Sequence, residues 1–130
     1  MPVTVELIKD HRVVLQTYSD PLDATQMNDL KNRMQRDILP AAIGKMHVIA
    51  DFRQVANLPG MLLGSGSRML MSAHPNTGTI IFVTQNAFVS SMAQIFSRIA
   101  ARHTFKLAQT LDEALKFADD ILAKETSITE

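Results

Sequence analysis

MHVIADFRQVANLPGMLLGSGSRMLMS, residues 46–72, is the stretch whose reading settles the fold. It opens with Met46 to Ala50, a short apolar run that does not alternate, as expected of a central strand covered on both faces. The run ends at Asp51, and Phe52 to Leu58 reads as a loop. Pro59-Gly60 then opens a second apolar segment holding Gly64-Ser65-Gly66-Ser67. A buried strand that passes through a loop into a helix is a common place for function in α/β proteins, because ligands collect beyond the carboxyl ends of the strands.

Upstream, Val3 to Ile8 alternates, with Val3, Val5 and Leu7 on one side and Thr4 and Glu6 on the other, the period of a strand with one wet face. Lys9 to Arg12 is a polar turn, and Val13 to Tyr18 is a second strand, so the two form a hairpin. After the Ser19-Asp20-Pro21 break, Asp23-Ala24-Thr25-Gln26 has the form of a capping box. Met27, Leu30, Met34 and Ile38 follow at helical spacing, and Pro40 ends that helix.

Downstream, Met61, Leu62, Met69 and Leu70 share a helix face. Gly64 and Gly66 each weaken that helix by about 1 kcal/mol relative to alanine, so its first half reads as loop, with Ser65 or Ser67 as an internal cap. His74 to Gly78 is a turn cluster, and Thr79 to Thr84 is a strand. A helix with Phe88, Met92, Ile95, Phe96 and Ile99 on its apolar face comes next. Phe105 to Leu107 is a short strand. Thr110-Leu111-Asp112-Glu113 is a second capping box, and Ala114, Leu115, Ala118, Ile121 and Leu122 form the inner stripe of a last helix. The order β-β-α-β-α-β-α-β-α implies a mixed five-stranded sheet, mainly parallel, with four helices in layers. Residues 1–124 read as one domain and 125–130 as a flexible tail.

The totals narrow the function classes. The chain has 130 residues, which fits one domain, and 46% of them are hydrophobic, enough for a sizeable core. Thirteen basic residues balance thirteen acidic ones. That balance argues against a long-range pull on nucleic acid or anionic lipid. There is no cysteine, hence no disulfide framework and no thiolate chemistry. No apolar run reaches the roughly 20 residues that span a bilayer, and the amino terminus lacks the blocks of a secretory signal. A cytoplasmic protein without membrane insertion is expected. With 5% aromatics and no tryptophan, stacking on bases or sugars has little to work with, whereas eight methionines can repack in a core or against a partner.

Individual residues give weaker signals. Asp51 with Arg53 and Asn57 makes either a polar pocket mouth or an Asx-type turn accepting backbone N–H bonds. Gly64-Ser65-Gly66-Ser67 is followed by Arg68 where a phosphate-binding loop needs Lys-Ser or Lys-Thr, so it reads as a small-residue patch for close packing. The histidines, His11, His47, His74 and His103, are scattered, without a partner at metal-ligand spacing; no metal and no cofactor is expected. His47 is the least ordinary, since it lies in an apolar strand. No catalytic motif stands out. The segment with Met61, Met69 and Met71 is apolar nearly all round, which suits a core helix or a homodimer interface.

VIADFRQV (Val48 to Val55), PGMLLGSGSRML (Pro59 to Leu70) and TLDEALKFADDIL (Thr110 to Leu122), in this order of elements, resemble the STAS family of anti-sigma-factor antagonists and sulphate-transporter regulatory domains. The resemblance covers about Val3 to Leu122. It implies a non-enzymatic, bacterial, regulatory module that binds a protein partner at the loop and helix from Asp51 to Leu70, with Asp51, Arg53, Asn57, Gly60, Met61 and Gly64 as contact residues. Signalling members carry Asp-Ser-Ser-Gly at the helix start, with a serine phosphorylated by a partner kinase. Here Asn57-Leu58-Pro59-Gly60 stands in that place, so Ser65 and Ser67 are the candidate phosphoserines. A small apolar-ligand or lipid-binding module is the alternative, because the related CRAL–TRIO fold binds apolar ligands and Met and Leu around Gly60 to Gly66 suit a pocket lining.

Overall fold

The structure, a computed structural model, describes residues 3–9, 12–19, 24–38, 40, 45–55, 77–85, 91, 94 and 105–129. Five strands form one sheet in sequential order: β1 (Val3–Ile8), β2 (Val13–Ser19), β3 (Met46–Gln54), β4 (Thr77–Val83) and β5 (Phe105–Ala108). β1 runs antiparallel to β2, with Val3 opposite Tyr18 and Ile8 opposite Val13. The other neighbours are parallel. The expected hairpin is therefore present, and its turn closes through the Arg12 N–H donating to the Lys9 carbonyl at 3.2 Å. Lys9 takes the left-handed conformation that the reversal requires, with φ at 54°.

α1 (Ala24–Arg33) continues directly into a π-helical turn, Met34–Ile38. Leu30, Met34 and Ile38 are all buried. They are spaced by four, slightly more than the 3.6 residues of an α-helical turn, and the wider last turn keeps Ile38 in line with the others. This stripe covers one face of the sheet, packing against Val14, Tyr18, Val48, Phe52, Ile80 and Phe82. α2 (Leu111–Thr129) covers the other face. Its Ala114 and Ala118 are fully buried, and such small side chains let the helix approach Ile49, Ile81 and Val83, themselves fully buried.

The capping box at the start of α2 forms with a small shift. Thr110 Oγ1 accepts from the Glu113 N–H at 3.1 Å, while Glu113 Oε2 accepts from the Gln109 N–H at 3.4 Å, one residue further upstream than the usual reciprocal bond. Two expectations are corrected. β3 does not stop at Ala50 but runs to Gln54, because Asp51 is paired on both sides, with Thr17 and with Val83. α2 continues through residues 125–129, which the sequence suggested were a tail. Of the four expected helices the described residues contain the first and the last. Ser91 and Gln94 are helical, within the third. The second helix and the capping residue Asp23 lie outside the described residues.

Candidate functional site at the carboxyl end of the third strand

Both ends of β3 carry a bulge. Against β2, Thr17 pairs with Asp51 and Ser19 with Gln54, so three steps on β3 face two on β2. The surplus residue lies within Phe52–Gln54 and breaks the alternation of side chains. Phe52 and Val55, three apart, consequently both join the core beneath α1. The strand closes there with the Val55 N–H donating to the Phe52 carbonyl at 3.0 Å.

Asp51 lies just before this bulge and is 2% exposed. A buried carboxylate needs a partner, and Arg53 supplies it three times. The Arg53 backbone N–H donates to Oδ1 at 3.0 Å, Nε donates to Oδ1 at 2.9 Å, and Nη2 donates to Oδ2 at 2.8 Å. The backbone bond is the Asx-type contact, and the guanidinium fork adds a bidentate ion pair to it. These hydrogen bonds to Asp51 hold the guanidinium charged above the usual arginine range. The negative charges of Asp51 and Asp112 add to this, and partial burial opposes it. The Arg53 side chain remains 38% exposed. Asp51 is thus a positioning residue for Arg53.

Arg53 borders an open depression of about 290 Å³ lined also by Phe52, Val55, Thr84 and Gln85. The floor is anchored in the core. Phe52 stacks on Tyr18, with ring centroids 4.4 Å apart and planes 8° apart, and lies 6.2 Å from Phe82. Tyr18 donates its hydroxyl proton to Gln16 Oε1 at 2.7 Å, and both residues are buried. Burial raises the Tyr18 pKa above its ordinary value. The far wall is tied to the end of β5, since the Thr84 N–H donates to the Ala108 carbonyl at 2.9 Å and Gln85 Nε2 donates to the Gln109 carbonyl, one residue past the strand, at 3.3 Å.

Of the residues singled out in the sequence, Asp51 and Arg53 come together. Asn57, Gly60, Met61, Gly64, Ser65 and Ser67 lie outside the described residues. Thr84 and Gln85 were missed. The rule that drew attention to the carboxyl end of β3 applies equally to β4, whose apolar run ends at Val83. His47, with Asp51 one of the two buried polar residues of β3, faces a different task at the amino end. It is 3% exposed, and its Nδ1 accepts from the Thr79 N–H at 2.9 Å. Among the described residues no group of three or more His, Asp or Glu side chains is placed to hold a metal ion. No helix among them is long and apolar enough to cross a membrane.

No family model matches the chain, and no curated protein matches it by sequence. Solved structures do match. An uncharacterised protein of the DUF3478 family from Shewanella loihica PV-4, described as having a SpoIIAA-like fold, superposes with a TM-score of 0.64 at 12% identity, over 88% of this chain and 90% of its own. The protein TM1081, solved by NMR, gives a TM-score of 0.62 at 18% identity, over 86% of this chain and 84% of its own. The chain therefore has the SpoIIAA-like α/β fold, the fold that the resemblance to STAS proteins implies.

Proposed function

We propose that this chain is a non-enzymatic, STAS-like regulatory module of the bacterial cytosol that binds a protein partner at the carboxyl end of β3 and the segment after it, residues 51–70. The observation that carries this reading is Arg53, presented on a bulge, braced by buried Asp51 and bordering an open depression. The lining mixes Phe52 and Val55 with Thr84, Gln85 and a guanidinium, which suits the mixed surface of a protein better than a wholly apolar ligand. The fork with Asp51 also balances the arginine's charge, so the depression exerts little net pull on a free anion.

The non-enzymatic part of the reading rests on Asp51. Both carboxylate oxygens accept bonds from Arg53 and the side chain is only 3% exposed, so the carboxylate braces the guanidinium and is not presented to a substrate. In this reading Ser65 and Ser67 are where a kinase would switch the face. The apolar-ligand alternative calls for a closed cavity, whereas the depression is open and half polar in its lining. The test is a photo-crosslinking residue placed at Gln85, which should trap a discrete partner protein in cells.

A further inference from the structure

β1 ends the sheet, and among the described residues nothing pairs its outer edge. It is a regular strand of six residues without proline, and its pairing with β2 has no bulge. Edge strands of this kind are normally blunted, since their free N–H and C=O groups invite another strand. Its apolar side is also incomplete. Val3 and Val5 are half-buried against the core beneath α1, but Leu7, on the same side, is 39% exposed and belongs to neither core. At the opposite edge, β5 has only four residues.

We propose that the outer edge of β1 pairs antiparallel with β1 of a second copy of this chain, joining two sheets across a two-fold axis. The side chains select one register. Residues directly opposite share a face, so a two-fold axis can set Thr4, Val5, Glu6 or Leu7 against its own copy, and Leu7 against Leu7 leaves Val3, Thr4 and Val5 beyond the overlap. Glu6 against Glu6 opposes like charges. Thr4 against Thr4 leaves Glu6 and Leu7 beyond the overlap. Val5 against Val5 sets Val3 opposite Leu7 and Thr4 opposite Glu6, each twice. That register covers the exposed Leu7 with an apolar partner and gives the Glu6 carboxylate a hydroxyl donor. The strand is self-complementary in this arrangement, as an isologous interface requires.

Sedimentation velocity from micromolar to millimolar protein tests the pairing. Wild-type chain should show a reversible monomer–dimer equilibrium. Thr4 is exposed, so T4E should leave the circular dichroism spectrum unchanged. It places two like-charge pairs across the axis, which should weaken the dimer by roughly two- to thirtyfold. Adding E6K to T4E makes both pairs opposite in charge and should restore or exceed wild-type association. A chain that stays monomeric throughout, a dimer indifferent to T4E, or a double variant that fails to recover would each overturn the pairing. None of these outcomes bears on the Arg53 surface, which lies two strands away.

Discussion

The two ends of β3 solve the same local problem in opposite ways. At the amino end Met46 pairs with Thr77 and Val48 with Ile80, so the surplus residue lies on β4, around Gly78 and Thr79. A bulge leaves a ladder N–H without its strand partner, and the His47 ring takes it up from Thr79. Gly78 has no side chain because the ring occupies the space. A Cβ there would sit 2.5 Å from Nδ1 and 2.7 Å from Cε1 of His47. At the carboxyl end the surplus residue lies on β3 itself, and it delivers Arg53 to the surface beside a depression. One bulge is closed over a buried polar group. The other displays one. Residue type alone does not distinguish them, since a histidine in an apolar strand looks at least as functional as an arginine in a loop.

Filling the closed end should have the largest effect. G78A forces the His47 ring out of place and breaks its bond to Thr79. It should destabilise the chain by about 2–4 kcal/mol in denaturant unfolding, overpacking and the lost bond together. In an H47A background the same change should cost clearly less, because the obstructing ring is gone. Equal costs in the two backgrounds would mean that the amino end is not locked in this way. At the open end R53A removes the partner of a buried carboxylate. Its side chain is over one-third exposed, so solvent screens part of the loss, and about 1–3 kcal/mol is expected by the same measurement.

The smallest effect is expected beneath the depression, at Tyr18. Tyr18 is the single tyrosine, and there is no tryptophan, so phenolate absorbance reports Tyr18 alone. Burial raises its pKa, so the folded chain keeps a proton that the unfolded chain releases above about pH 10. Stability should therefore fall as pH rises past that value. Phenolate should appear together with loss of the helical circular dichroism signal. Ionisation of a still-folded chain near the ordinary value would show that the Tyr18–Phe52 floor is wet.

Most of the scaffold was legible because its elements are locally consistent. Val3 to Ile8 alternates and is β1 to the residue. Leu30, Met34 and Ile38 mark the buried stripe of α1, and Thr110 with Glu113 marks the start of α2. The site was legible only in part. Asp51 and Arg53 drew attention, but the end of β3 was misplaced, because a charged pair in mid-strand looks like a strand terminus until the fork neutralises it. The bulges could not be read at all. A bulge is a mismatch in count between two strands, and neither strand carries it alone. The contributions of Thr84 and Gln85 depend in the same way on β4 lying beside β3.

Crosslinking from Gln85 in cells tests whether a partner docks at the carboxyl end of β3, with the same photoreactive residue at exposed Lys116 of α2 as the control position. A discrete heterologous adduct should form from Gln85, be absent from Lys116, and disappear when R53E reverses the charge at the rim. No adduct from Gln85, or one that persists unchanged in R53E, would contradict a partner-binding role for the carboxyl end of β3.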